Sequence, residues 1–211
     1  RILRDRFPSV NQGAAFNSLT FALTYYLPIP ENNTWAFHYF RSDAHVKEEG
    51  NTDLESLKTT QGYYACGGFA ACEAATLKSS QNQLNANKNG SSKSLGGADR
   101  LRSYPGNRYQ AAHTLFYGTE LRWNFNTENT KLDYWLLQDV QQALQAVFFW
   151  EQGSVAEEIG EIGETIRSSY GSGIRLVTKS GSVYKFEMAT GDEGAEIILF
   201  FEYPWMGLFG S

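Results

Sequence analysis

Arg102 lies in the tetrapeptide Leu101-Arg102-Ser103-Tyr104, inside a segment that opens on Gly96-Gly97. A guanidinium presents five N–H donors in a planar fork, so one Arg can grip a carboxylate through two hydrogen bonds. Acids and bases recur further along at alternate positions: Glu120 and Arg122, then Glu151, Arg175, and finally Lys185 and Glu187. Alternate residues of a strand share a face, so each set would line one side of its element. The chemistry on offer is charge pairing. By themselves these groups read as an ordinary solvated face. No nucleophile–base constellation appears, and His38, His45 and His113 lack metal-ligand spacing, so no catalytic residue, cofactor or metal is expected. Gly171-Ser172-Gly173 lacks the third glycine and following helix of a dinucleotide loop. Glycines there would make room for a neighbouring element or permit a bend.

The elements that carry these residues read as strands. Over 114–126, Leu115, Tyr117, Thr119, Leu121, Trp123 and Phe125 point one way, and Phe116, Gly118, Glu120, Arg122, Asn124 and Asn126 the other. An apolar face with aromatics near one end, backed by a charged face, is how a transmembrane barrel strand reads: apolar to lipid, polar to lumen. The same alternation recurs at 16–28, 34–43, 143–151, 170–178, 183–189 and 195–205. It puts Leu19, Phe21, Leu23, Tyr25 and Leu27 on one face of the first, and Trp35, Phe37 and Tyr39 on one face of the second. In the last, Leu199, Phe201, Tyr203 and Trp205 share a face. Glu151, Arg175, Lys185 and Glu187 fall on the inward face of their strands. Short connections at 179–181 and 191–194 predict antiparallel hairpins. That gives seven strands in a meander, with residues 62–75 (GYYACGGFAACEAA) a candidate eighth. The Ser/Asn/Lys-rich stretch 76–94 reads as a solvated, mobile loop, part of a long connection at about 46–112. Residues 152–167 read as an acidic loop, with a short helix admissible at 155–166.

Composition sets the outer limits. The 211 residues suffice for one domain. The mean hydropathy is −0.41, and no apolar run reaches the ~18 residues of a membrane helix, which leaves a barrel admissible. Aromatic content is 15%, and 20 Gly against 5 Pro fits many strands with tight turns. A net charge of −5 with no basic stripe makes nucleic acid an unexpected partner. Residues 1–30 show no charged-then-apolar leader, so a processed chain or a piece of a longer one is expected. Cys66 and Cys72 have neither CxxC spacing nor a nearby His cluster, and a local disulfide in an oxidising compartment is the favoured reading.

Taken in order, these motifs resemble the C-terminal half of a barrel in the BamA/TamA superfamily of outer-membrane proteins, whose members include barrel-assembly insertases, two-partner secretion transporters and patatin-fused proteins. The resemblance covers 95–205 well and 13–48 loosely. It runs through Gly96-Gly97 and Leu101-Arg102-Ser103-Tyr104, with Asn107-Arg108-Tyr109 after it. Then come Glu120-Leu121-Arg122, Phe149-Trp150-Glu151-Gln152-Gly153, Gly171-Ser172-Gly173-Ile174-Arg175, Lys185-Phe186-Glu187 and the aromatic end at Phe201, Tyr203 and Trp205. Departures are Ser103 for the family's Gly, Glu151 for Asp, and Lys185 and Glu187 for Arg and Asp.

The resemblance implies an all-β antiparallel meander forming part of a transmembrane β-barrel, sixteen-stranded in the family, of which this chain holds about seven or eight strands. It implies a bacterial outer-membrane location and a loop folded back into the lumen, where Arg102 contacts Glu151. The aromatic end resembles an assembly signal. Implied partners are outer-membrane lipid, the N-terminal half of the barrel (from the same or another chain), client polypeptides and assembly lipoproteins. No POTRA domain is recognised in the chain. The implied function is insertion or translocation of polypeptides through a lateral seam. The alternatives are a passive pore or adhesin-like barrel, and a membrane anchor for an upstream enzyme such as a patatin-type lipase.

Overall fold

In the computed structural model, residues 2–6, 13–31, 33–125, 141–178 and 183–202 are described. They form one eight-stranded sheet in chain order, every neighbouring pair antiparallel. The strands are β1 (Ile2–Arg6), β2 (Ala15–Ile29), β3 (Asn33–Glu48), β4 (His113–Asn124), β5 (Gln141–Ala156), β6 (Arg167–Thr178), β7 (Val183–Gly191) and β8 (Gly194–Glu202). The expected all-β meander is what the chain adopts. Among the described residues no helix is long and apolar enough to cross a membrane.

The two faces of the sheet differ as the alternation predicts. On one face, matched cross-strand residues form apolar rows. One runs Tyr25, Phe37, Thr119, Trp150, Tyr170; another runs Leu27, Trp35, Leu121, Phe148. A third runs Trp123, Ala146, Ile174, Phe186, Leu199. Most of the large apolar side chains in these rows are exposed, up to 75% at Leu199, while the small Ala146 is buried. Toward the end of β3 that face turns charged, where Arg41 and His113 both bind Asp43. The other face is covered by the connection between β3 and β4. There Leu95, Leu101 and Tyr104 from the connection pack on Phe40 and Phe116 of the sheet. This core forms where the loop brings apolar groups to the face, and a smaller cluster of Val147, Phe149 and Ala189 with Ile198 is built by the strands alone.

Three expectations about the connections change. Residues 62–75 are not a strand: a 3₁₀ turn, Tyr63–Cys66, leads into the start of a helix, and the eighth strand is β1. The stretch read as a mobile loop belongs mostly to that helix, α2 (Ala70–Asn89), which is preceded by α1 (Leu54–Thr60). No Gly or Pro interrupts residues 70–89, so the backbone is free to coil. Polar contacts hold α2 in place: Asn85 and Asn89 donate to Glu157, and Asn87 donates to the Asn51 carbonyl. Such a helix has no apolar stripe, which is why periodicity does not reveal it. Third, β5 extends to Ala156, and the acidic connection after it holds only the 3₁₀ turn Ile159–Glu161.

Cys66 and Cys72 form a disulfide that ties the 3₁₀ turn to the first turn of α2. The bond lies outside the sheet. The double variant Cys66→Ser, Cys72→Ser is therefore expected to keep the strand signal in circular dichroism while proteolysis within 61–75 accelerates. Intact-mass measurement before and after reduction should show the native peptide lighter by two hydrogens; two alkylatable thiols in the unreduced protein would contradict the bond.

Candidate functional site

The β3–β4 connection folds back over the sheet as an irregular hairpin, closed at its base by paired backbone bonds between Leu95 and Tyr109. Its tip is built by unusual backbone. Gly96 and Gly97 have φ of 104° and 102°, and a side chain on Gly96 would collide with the Pro105 carbonyl. Leu101 also takes a left-handed φ, 53°, whereas Ser103 does not. The position where the resemblance expects glycine is therefore not the left-handed one here; the kink sits two residues earlier. Ser103 donates its backbone N–H to Ser169, and its hydroxyl lies against Gly191.

This kink drives Arg102 into the sheet face, where it is 7% exposed. Its backbone N–H and Nε donate to the two carboxylate oxygens of Glu151, each at 2.8 Å. Nη1 donates to Glu187 at 2.8 Å, and Nη2 lies 3.0 Å from Glu120. Arg175 crosses beneath and binds both Glu120 oxygens at 2.7 Å and Glu187 at 2.6 and 2.8 Å. Arg122 adds a bond to Glu120 at 2.7 Å. Three guanidiniums thus meet three carboxylates, drawn from the loop and from β4, β5, β6 and β7. The Arg102 guanidinium also lies over the Phe149 ring, 3.5 Å from its centre, a cation–π contact that gains strength away from water.

The glycines of the sheet clear this space. A Cβ on Gly171 would meet Phe149 and the Met188 carbonyl; on Gly173 it would meet Glu187. On Gly153 it would strike Leu95 and Leu101 of the loop. Tyr104 is buried beside the hub and donates its hydroxyl to the Ser168 carbonyl at 3.2 Å.

Of the charged residues singled out in the sequence, Arg102, Glu120, Arg122, Glu151, Arg175 and Glu187 are brought together. The Lys185 ammonium stands over the Phe200 ring of β8 at 5.2 Å. On β8, Leu199 and Phe201 are exposed on the apolar face, and Tyr203 and Trp205 lie outside the described residues. Among the described residues no His/Cys/Asp/Glu group could hold a metal.

A second contact set was not foreseen. Arg108 binds Glu193, in the β7–β8 turn, at 2.6 and 3.1 Å, and the Tyr109 hydroxyl donates to the same carboxylate at 2.6 Å. The Asn107-Arg108-Tyr109 motif was visible, but nothing in the spacing marked Glu193 as its partner. No protein-family model matches the chain, and no curated protein matches it.

Two outcomes follow. Removing one partner from a buried ion network costs about 3–5 kcal/mol, because the other charges stay buried. Arg102→Ala should therefore lower the stability of the docked loop by an amount of that order. Protease cleavage at 96–108 should rise while the strand spectrum persists, and Arg102→Glu with Glu151→Arg should restore part of the protection. Wild-type protection in Arg102→Ala would make the residue a bystander.

The outer contact should respond to pH. The Arg108 hydrogen bond, then the Tyr109 one, holds the Glu193 carboxyl below its usual range, while burial and the Glu193 bond push the Tyr109 phenol up to about 12. A depressed carboxyl contributes above its unfolded value, about 4.3, and the contribution disappears as pH falls through the lower folded value. Protection of 106–109 against hydrogen exchange, taken relative to the intrinsic rate at each pH, should fall on acidification below about pH 4. Glu193→Gln should show the faster exchange already at neutral pH; an unchanged rate in that variant would contradict the assignment.

Proposed function

We propose that this chain is the C-terminal half of a transmembrane β-barrel of the BamA/TamA type in the bacterial outer membrane, and that the complete barrel inserts or translocates polypeptides through a lateral seam at β8. The observation that carries this reading is the distribution of polarity. Large apolar side chains stand exposed in cross-strand rows on one face, while the opposite face buries three ion-paired carboxylates. In water an exposed apolar patch of that extent is an aggregation hazard; against lipid it is the required surface.

The hub supports the mechanical part. It joins the loop to β4, β5, β6 and β7, making them one braced unit. β8 contributes no charge to the hub, and among the described residues it is paired only with β7. A strand outside the braced unit is the one able to swing away, exposing backbone donors and acceptors that a client strand can pair by β-augmentation. A lipid environment strengthens that pairing, since unsatisfied backbone groups have no water to turn to.

The test is a locked seam. A disulfide placed between β8, at Leu199, and the first strand of the full-length barrel is expected to stop client insertion while preserving the heat-modifiable electrophoretic mobility of a folded barrel. Reduction should restore activity. Unimpaired client handling in the locked barrel would reject the gate and favour a passive pore or an enzyme anchor.

A further inference from the structure

Arg100 lies two residues before the hub and faces the opposite way. Its guanidinium stacks on the Phe40 ring at 4.3 Å, on β3. Its Nε is buried and has no hydrogen-bond partner. The nearest acid in the chain, Asp99, is exposed and makes no hydrogen bond to it among the described residues. The inner-face carboxylates Glu120, Glu151 and Glu187 are already held by Arg102, Arg122 and Arg175. Asp99 acts on this cation through space, but a half-buried guanidinium whose desolvated Nε–H has no carboxylate in hydrogen-bonding contact is unfavourable by itself.

Its surroundings show where a counter-charge has room. Phe40 pairs with Ala22 of β2, and the described part of β1 reaches only Ile2, opposite Phe21. At and below this level the inward positions of β2, Ala22, Thr24 and Tyr26, are exposed, although Phe40 beside them is buried under the loop. The loop thus pairs its Arg102 charge on the β4–β7 side and leaves the Arg100 cation beside an uncovered strip of sheet toward β2.

We infer that Arg100 is a docking cation for a carboxylate on the inner wall of the strands that complete the barrel beyond β1, so that the inserted loop is held from both sides. This rests on the half-barrel reading above. A carboxylate fits because it can accept from the buried Nε and a terminal nitrogen together, and because an inner-wall acid matches the chemistry Arg102 finds on the other side.

The experiment uses the full-length protein in native membranes. Arg100→Lys supplies an amine that a zero-length carbodiimide joins to any carboxylate in contact. Mass spectrometry is expected to find position 100 linked to an Asp or Glu on a strand outside residues 1–211. A link to Asp99 or another acid of this segment alone, to a client or lipid phosphate, or no link in a folded barrel would overturn the inference. Arg100→Met, similar in length and uncharged, should lower the temperature at which the heat-modifiable form converts; an unchanged temperature would equally overturn it. Loss of heat-modifiable mobility in the unaltered protein would instead fail the barrel reading and take this inference with it.

Discussion

The contact on which the rest of this structure depends is the Arg102 guanidinium against Glu151, Glu187 and Glu120. Three carboxylates on one sheet face, all nearly inaccessible, would repel one another and lose their hydration. Arg102, Arg175 and Arg122 neutralise them one for one, and the bidentate geometry satisfies most of the available oxygens. Buried ion networks add little net stability over an apolar equivalent. What this one specifies is position: the loop has a single depth and a single orientation in which all the charges are met. Because Arg102 enters from the loop and its partners sit on three strands, the same contact fixes the loop to the sheet and the strands to each other.

Everything near the hub is arranged to let that side chain reach it. The left-handed turn at Leu101 and the tight approach at Gly96 swing the guanidinium inward. Gly171 leaves space for Phe149 to lie flat under it, and Gly153 accepts Leu95 and Leu101. The apolar core of Leu95, Leu101, Tyr104, Phe40 and Phe116 then closes over a face that the strands alone would leave wet. The loop acts as the core of a sheet whose own apolar side chains mostly point the other way.

The strand faces were legible in the sequence because period-two alternation survives whichever medium the apolar side meets. The inward set Glu120, Glu151, Arg175 and Glu187 followed from it residue by residue. The contact between Arg102 and Glu151 was not legible in that way, since nothing local to a loop says how deep it docks; the order of motifs along the chain supplied it. α2 escaped because it is anchored through Asn85, Asn87 and Asn89, polar residues that look like solvated loop. β1 escaped because its five residues, two apolar followed by Arg4, Asp5 and Arg6, carry no period-two apolar signal. Lys185 shared the inward register and the strand of Glu187, yet sits two residues along from it with its ammonium over Phe200 of β8. Register predicts a face; it does not predict which residues on that face are within a side chain's length of the tip.

The hub also decides which parts of the sheet can move independently. A displacement of β4, β5, β6 or β7 relative to the others must separate buried opposite charges, and the low-dielectric interior makes that costly. β8 bears no such penalty. Its ladder to β7 is backbone pairing, and the turn before it is tied to the loop by the half-exposed Glu193 contact, which water can replace at small loss, and by the Tyr104 hydroxyl, which accepts from the Asp192 N–H at 3.2 Å. Mobility is therefore graded across the sheet, lowest where the charges are buried and highest at the edge. An edge that moves while its neighbours stay braced is what the proposed lateral gate would require, and the grading that would provide it comes from where six charged side chains are placed.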